Sequence, residues 1–232
     1  MKLPSPLYEG ILRRRYKRFL ADVELPDGTM VTAHTPNTGS MLQCAVPGHR
    51  VLISTSDDPK RKLKYTLELI EVNGSWVDTH TQRANRVVEE GLRNGAIAEL
   101  AGYMVRPEFR FGASRIDFLL ERGDEKVLVE VKNVTLTDGG TQALFPDAVT
   151  VRGQKHLREL VQARRDGYRA VIFFLVQRSE ATSFGPADDI DPEYGSLLRE
   201  AYGLGVEALA YRTRVSREAT GIDCSLPVRL EE

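Results

Sequence analysis

Three residues near the middle of the chain have the types and the spacing that metal-ion chemistry needs. In the segment KVLVEVKNV, alternate side chains of an extended strand point to opposite faces, so Glu130 and Lys132 lie side by side on one face. In the preceding segment SRIDFLLE, Asp117 faces away from the apolar set. Two carboxylates brought together can hold a hard cation such as Mg²⁺ through oxygen ligands. An adjacent lysine can then orient the attacking water or stabilise developing phosphorane charge.

These three residues also have a purely structural interpretation. Charges on a valine-rich strand are costly to bury without partners, and an Asp–Lys–Glu ion-pair network supporting the sheet would use the same side chains. A hairpin about Gly123 would bring Asp117 and Glu130 to one face, between a preceding and a following helix, and this placement favours a metal site. We therefore predict Asp117, Glu130 and Lys132 as catalytic, with Asp117, Glu130 and the backbone of Val131 as metal ligands.

The first of two regions that must position this site reads as short strands. Between Tyr16 and Val72, turn signals at 26–28 and 36–39 separate segments of alternating polarity. The segments are FLADVEL, TMVTAHT, VPGHRVLIST and KLKYTLELIEV. About five strands without a convincing helix indicate a small closed barrel, so we predict a five-stranded OB-fold domain over 1–80.

The second region, 81–232, reads as α-β-β-β-α-β-α-β, a mixed sheet with flanking helices. The apolar spacing between Ala84 and Leu100 predicts one helix with a break or two short helices, interrupted at Gly91 and Gly95. The predicted strands are MVRPEFRF, SRIDFLLE, KVLVEVKNV, RAVIFFLVQ and VEALAYRT, the last closing the chain, and the further helices are 153–165 and 192–202. The segment TLTDGGTQALFPDAVTVR has little periodicity and reads as a long functional loop. The fold class is therefore α+β overall, a barrel followed by an α/β domain.

Composition narrows the class of protein. The 232 residues carry a net charge of -1, with 41% hydrophobic and 28% charged residues, which is ordinary globular composition. No apolar run approaches the roughly 18 residues of a transmembrane helix, and the start of the chain lacks the apolar core of a signal peptide. Cys44 and Cys224 build neither a disulfide framework nor a zinc ribbon. We expect a cytoplasmic protein without a membrane partner or a small-molecule cofactor.

Positive charge is concentrated in blocks although the net charge is near zero. The block RRRYKRF interleaves cations with rings, as single-strand binders do, although a solvated strand edge would have the same pattern. A second block, 60–62, on the same barrel favours a polyanion as partner. Arg152 and His156 flank the long loop, where they could reach phosphate or only decorate a helix surface. The predicted nucleic-acid-binding residues are Arg13, Arg14, Arg15, Tyr16, Lys17, Arg18, Lys60, Arg61, Lys62, Arg152 and His156.

These motifs resemble known families. Asp117 followed by Glu130-Val131-Lys132 resembles the PD-(D/E)-x-K nuclease superfamily, with Ile116 standing where the superfamily's name has proline. The whole chain resembles the sugar fermentation stimulation protein A family of prokaryotes in segments that span nearly its full length. The matching segments are 15–22, 36–41, 114–118, 130–136, 145–148 and Arg152-Gly153 with His156.

The resemblance implies an N-terminal OB-fold, a C-terminal nuclease-like domain, sequence-independent DNA binding and an association with regulation of maltose and other sugar metabolism. Such nucleases often add a metal-binding acid from the first helix. Among Glu89, Glu90 and Glu99 we choose Glu99, which is nearest the next strand.

Two functions stay open at this point. One is a Mg²⁺- or Mn²⁺-dependent endonuclease that hydrolyses phosphodiester bonds in DNA, single- or double-stranded. The other is a non-catalytic, sequence-independent DNA-binding regulator of sugar-metabolism genes. The intact set Asp117, Glu130 and Lys132 favours the enzyme, and whether the protein forms a homodimer is not decided by the sequence.

Overall fold

The computed structural model describes residues 1–112 and 114–231, an N-terminal barrel followed by an α/β domain. The predicted second domain, 81–232, includes Ala113 and Glu232, which lie outside the described residues. The strands are β1 (Leu7–Tyr16), β2 (Leu20–Glu24), β3 (Met30–His34), β4 (Arg50–Thr55), β5 (Tyr65–Val72), β6 (Ser75–Asp78), β7 (Met104–Phe111), β8 (Ser114–Arg122), β9 (Glu125–Val134), β10 (Leu136–Thr137), β11 (Gln142–Phe145), β12 (Arg169–Val176), β13 (Ser183–Pro186), β14 (Glu207–Val215) and β15 (Thr220–Leu226). The helices are α1 (Thr81–Asn94), α2 (Val151–Arg165) and α3 (Pro192–Gly203), with a 3₁₀ turn at Ala98–Leu100.

The N-terminal strands form the predicted OB-type barrel. They follow the order β3-β2-β1-β4-β5-β6, and a parallel pairing of β3 with β5, through Ala33–Tyr65 and His34–Thr66, closes the sheet on itself. Alternate side chains fill the interior because successive residues of a strand point to opposite faces. The interior residues include Leu12, Val23, Ala33, Val51, Ile53, Leu67 and Ile70.

The first barrel strand begins at Leu7, well before the predicted start near Tyr16. Only Gly10 and Leu12 are buried along this strand, so its sequence shows little alternation between apolar and polar residues. Gly10 lies so close to β2 that an added Cβ would be 2.4 Å from Val23 Cγ1, so this strand pairing needs a glycine.

The second domain is built on a mixed sheet with the order β15-β14-β12-β9-β8-β7. Strands β9, β12 and β14 are parallel, and β12 is buried on both faces, as its continuous apolar sequence predicts. The side chains of α1 pack with Val127, Val129 and Val131 on one face, while α2 and α3 pack with Leu128 on the other. No helix among the described residues is long and apolar enough to span a membrane.

Several elements differ from the sequence-based prediction. The long segment after β9 holds short strands, because β10 and β11 pair with each other and β11 pairs in parallel with β13. Helix α2 begins at Val151, where Thr150 Oγ1 caps the Gly153 N–H. Strand β15 adds a further strand after the one predicted to close the chain.

Helix α1 runs through Gly91 without a break and ends at Gly95. An added Cβ on Gly91 would lie 2.8 Å from Ile222 Cγ1, so this glycine permits close packing of α1 on β15. Gly95 has a φ of 78°, the left-handed conformation that commonly ends helices. Gly95 therefore ends the helix, and Gly91 does not interrupt it.

A buried charge cluster fixes the barrel against α1. The Arg83 guanidinium bonds Asp78 Oδ1 at 3.1 Å and makes a close ion pair with Glu68, and these three side chains are at most 6% exposed. Ser54 Oγ also donates to Glu68. Burial raises the pKa of Asp78 to about 6, against the opposing effect of Arg83.

Candidate functional site

The predicted catalytic residues line one cleft of about 350 Å³. It lies where β8 and β9 separate, and its walls come from α1, α2, the segment after β11 and a barrel loop. The lining residues that carry the argument are Asp117, Glu130, Lys132, Asn85, Asp147 and His156. Asp117 and Glu130 thus face the same space.

The position of Asp117 follows from the end of the β8–β9 ladder. The antiparallel pairing stops at Phe118–Val129, and beyond it the Asp117 carboxylate accepts the Val131 N–H through Oδ2 at 2.8 Å. Asn85 Nδ2, on α1, donates to the other carboxylate oxygen at 2.6 Å. A side chain therefore replaces a ladder bond and holds the two strands apart.

The electrostatic environment of Asp117 is unfavourable to its charge. Burial and, second, the nearby charge of Glu130 raise its pKa to about 6. A cation between the two carboxylates would remove this repulsion, as it does wherever two carboxylates share a site.

Glu130 is buried at 3% exposure among cationic and imidazole groups. Its Oε1 accepts from Lys132 Nζ at 2.7 Å and makes a close hydrogen bond with His156 Nδ1. Burial alone would raise its pKa, but the neighbouring Lys132 and His156 outweigh burial and lower it below its usual range. Its other oxygen, Oε2, is buried without a hydrogen-bond partner among the described residues.

His156 belongs to this carboxylate cluster. It is 4% exposed on α2, its Nδ1 lies 3.2 Å from Lys132 Nζ, and Arg152 Nε lies 3.4 Å from its Nε2. Arg152 and His156 both line the cleft. The alternative that His156 only decorates a helix surface is wrong, since its ring is buried against Glu130.

The cleft offers oxygen ligands for a hard cation. The orphaned Glu130 Oε2 is a buried acceptor of the kind a metal ion would satisfy, and Asp117 and Val131 line the same space. Within residues 1–112 and 114–231, no group of three or more His, Cys, Asp and Glu side chains is arranged to hold a metal ion. A hard cation held in the cleft by Asp117 and the unpartnered Glu130 Oε2 would therefore take its remaining oxygen ligands from the main chain and water.

The predicted third acid does not lie in the cleft. Glu99 lies in the 3₁₀ turn, where its Oε2 accepts from Tyr211 at 2.5 Å and where it lines a different cavity. Glu89 instead pairs with Arg93, and Glu90 pairs with the N-terminal ammonium. The choice of Glu99 as a metal ligand is therefore wrong. Helix α1 contributes Asn85 to the site, and Glu99 lies in the turn after Gly95, beside Tyr211.

A loop of the barrel completes the cleft, which the sequence did not predict. Asn37, Thr38 and Gly39 line it, and the Met41 N–H donates to Asp147 Oδ2 of the second domain at 2.7 Å. The only sequence signal was that 36–41 and 145–148 are both motif segments.

The first basic block is largely engaged within the barrel. Arg15 donates to the main-chain oxygens of Asn37 and Gly39, both at 2.8 Å, and so fixes the loop that lines the cleft. Arg13 pairs with Glu24 at 2.6 Å and Arg14 with Asp22 at 2.8 Å. The remaining residues of the block are Tyr16, which donates to Asp22, and Lys17 and Arg18, which form the β1–β2 turn.

The second basic block lies on the β4–β5 loop. Lys60, Arg61 and Lys62 are exposed there, and Arg61 Nη2 donates to Thr66 Oγ1 at 2.7 Å. Neither block lines the cleft itself, so the structure brings together the predicted catalytic residues with Arg152 and His156, and leaves the two basic blocks outside.

The fold and the site define a class: an OB-type barrel joined to a mixed α/β domain that carries two carboxylates, Asp117 and Glu130, in one cleft. Residues 14–78 match the model of the SfsA N-terminal OB domain, and 82–219 match that of the sugar fermentation stimulation protein RE domain. The chain belongs to the sugar fermentation stimulation protein family, as the sequence motifs predicted.

Similar proteins extend over the whole chain. A sugar fermentation stimulation protein homolog of Syntrophotalea carbinolica is 71% identical, and the match covers 100% of both chains. A homolog of Geobacter sulfurreducens is 59% identical over 98% of each chain. A solved structure described as Pyrococcus furiosus SfsA in complex with Ca²⁺ is 32% identical, covers 99% of each chain and has a TM-score of 0.89.

Proposed function

We propose that this protein is a divalent-metal-dependent endonuclease that hydrolyses phosphodiester bonds in DNA. The observation that carries the proposal is the convergence of Asp117, the unpartnered Glu130 Oε2 and Lys132 in one cleft. Two oxygen ligands beside a lysine are the groups that metal-assisted phosphodiester hydrolysis uses.

Asp117, Glu130 and the Val131 main chain would hold the ion, Mg²⁺ or Mn²⁺. The ion would supply Lewis-acid polarisation of a phosphate oxygen and a more acidic bound water. The description of the Pyrococcus furiosus protein as a Ca²⁺ complex supports a hard cation, because Ca²⁺ and Mg²⁺ both take oxygen ligands.

The remaining side chains of the cleft have supporting roles in this proposal. Asn85 orients Asp117, and His156 orients Glu130 through Oε1, which leaves Oε2 without a hydrogen-bond partner among the described residues, so that it would be available to an ion. Lys132 is held by Glu130 at 2.7 Å and stabilises negative charge that develops on the phosphate. Arg152, beside His156, contacts the phosphate backbone.

A second candidate function is a non-catalytic DNA-binding regulator of sugar metabolism. The name shared by the relatives favours it, as does the ion pair of Glu130 with Lys132, which would also suit a structural network.

The test is incubation of the purified protein with labelled single- and double-stranded DNA in Mg²⁺, Mn²⁺ or EDTA. Asp117→Asn is compared with Glu99→Gln, a matched change from carboxylate to amide outside the cleft. We expect the wild type and Glu99→Gln to cleave with metal and not with EDTA, and Asp117→Asn to lose cleavage. Absence of wild-type cleavage in every metal would leave the regulator as the function.

A further inference from the structure

A second groove, of about 910 Å³, lies between the barrel and α1. It meets the cleft at the barrel loop and the first turn of α1, because Asn37, Thr38, Thr81 and Gln82 line both spaces. We call this space the interdomain groove. A chain lying in it would continue directly into the cleft that holds Asp117 and Glu130.

The interdomain groove is cationic. Its walls carry Lys2 from the N-terminal segment, Arg61 from the β4–β5 loop and Arg86 from α1. Glu68 is the acidic residue among the described residues that line it, and Glu68 is already neutralised by its ion pair with Arg83. Three cations from three separate elements therefore face one space without a local counter-charge.

The groove also offers a stacking surface and an unsatisfied polar group. Phe19, in the β1–β2 turn, is 46% exposed at its edge. Thr35 lines the groove fully buried, and its Oγ1 has no hydrogen-bond partner in the described part of the chain. Cations with an exposed ring are the combination with which proteins hold unpaired nucleotides, since phosphates pair with Arg and Lys and bases stack on rings.

We infer that the interdomain groove binds a single strand of nucleic acid and delivers it to the cleft. The phosphates lie along Lys2, Arg61 and Arg86, and a base stacks on Phe19. A duplex keeps its base faces stacked inside and has none to offer to Phe19, so the groove selects a single strand or the unpaired end of a larger substrate. What happens to the strand in the cleft rests on the proposed function, whereas the binding path does not.

The test measures binding in EDTA, so that no cleavage is needed. Fluorescence anisotropy follows labelled 15-nucleotide oligo(dT), oligo(rU) and a DNA duplex over a range of salt concentrations. The variants are Arg61→Ala with Arg86→Ala, and Phe19→Ala. The matched control is Arg165→Ala, an exposed cation at the far end of α2, about 20 Å along that helix from its start.

We expect the wild type to bind a single strand more tightly than the duplex. The double variant should lower the slope of log affinity against log salt by about 1.4, at about 0.7 for each lost phosphate contact with a single strand. Phe19→Ala should weaken single-strand affinity about 5- to 150-fold with little change in that slope, as loss of one stacked base does. Arg165→Ala should match the wild type.

Equal slopes for the double variant and Arg165→Ala, or a wild type that prefers duplex, would overturn the inference. Thermal melts of each variant establish folding, and cross-linking of oligo(dT) carrying 5-iododeoxyuridine gives a second measurement on the wild type, with the cross-link expected at Phe19. Groove binding without any metal-dependent cleavage would retain the inference and reject the proposed nuclease. Metal-dependent cleavage by the wild type, together with groove variants that bind the single strand as tightly as the wild type, would reject the inference and retain the proposed nuclease.

Discussion

Replacing Asp78 with asparagine probes the buried charge cluster that holds the barrel on α1. The folded protein raises the pKa of Asp78 to about 6, because burial outweighs the attraction of Arg83. Over the pH range between its unfolded pKa and about 6, the folded state therefore binds more protons at this group than the unfolded chain does. The free energy of unfolding consequently falls as pH rises through this range.

The size of this effect follows from the pKa. With an unfolded pKa near 3.9, the Asp78 contribution falls by roughly 2–3 kcal/mol between pH 4 and pH 7, at 1.36 kcal/mol per unit of pKa difference. Asp78→Asn keeps the shape and the bond to Arg83 but removes the titration. The difference in unfolding free energy between wild type and Asp78→Asn should therefore change by that amount across the range, in favour of the variant at the higher pH.

His80 has the opposite pH dependence. Burial and, second, the charge of Arg83 lower its pKa to about 4, so the unfolded chain binds the proton more tightly and stability rises with pH between about 4 and 6.5. Arg86 and His34 face His80 and act in the same direction, while Glu68 opposes them. In Asp78→Asn, His80 still titrates, so its contribution makes the free energy of unfolding rise with pH. In His80→Asn, which preserves a capping side chain, Asp78 still titrates, so its contribution makes the free energy of unfolding fall with pH.

The assay is urea unfolding at 25 °C from pH 4 to pH 7.5, followed by circular dichroism, with equal m-values as the check on two-state behaviour. Asp189→Asn, at an exposed carboxylate, is the matched control and should run parallel to the wild type. An Asp78→Asn profile that also runs parallel to the wild type would refute the assignment of a raised pKa to Asp78.

Four further variants test the site and the loop beside it. Lys132→Ala should remove metal-dependent cleavage in single-turnover assays while DNA affinity stays nearly unchanged, because its interaction belongs to the transition state; a variant that cuts as fast as wild type would remove Lys132 from the mechanism. Arg15→Ala should lower the melting temperature by several degrees, because its main-chain acceptors on the barrel loop lose their donor. Lys17→Ala should leave the melting temperature unchanged and only weaken DNA binding. The same melting temperature for both variants would contradict the structural role of Arg15. Asp147→Ala should slow cleavage and cost about 1–2 kcal/mol in urea unfolding, since the Met41 N–H loses its acceptor; wild-type values of both would show that the barrel loop does not need this bond.

The local sequence was sufficient where periodicity decides the structure. Strands β8, β9 and β12 follow from alternation or from continuous apolar runs, and the side-by-side placement of Glu130 and Lys132 follows from the period of a strand. The prediction of a break at Gly91 is wrong because the role of this glycine, close packing against Ile222, depends on a strand far along the chain.

The rest of the site depends on contacts between distant segments. Asn85 and Asp147 act through partners in other elements. No local pattern marks Asn85, and the motif segment 145–148 that contains Asp147 does not reveal its bond to the Met41 N–H. The prediction of Glu99 as a metal ligand is wrong because tertiary packing of the 3₁₀ turn sets the path of the chain after Gly95. The basic run predicts that Arg15 binds phosphate, because the sequence does not reveal that its guanidinium donates to carbonyl groups of its own barrel.

The central claim is that Asp117 and Glu130 hold a divalent cation in the cleft beside Lys132. The most direct measurement is the anomalous X-ray signal from crystals of the wild type grown with Mn²⁺, compared with crystals of Glu130→Gln. The account predicts a single strong peak in the cleft, about 2.0–2.6 Å from Asp117 and from Glu130 Oε2, the range of Mg²⁺ and Ca²⁺ oxygen ligands, and its loss or weakening in the variant. A wild-type cleft without a peak at high Mn²⁺, or an equal peak in Glu130→Gln, would contradict the claim.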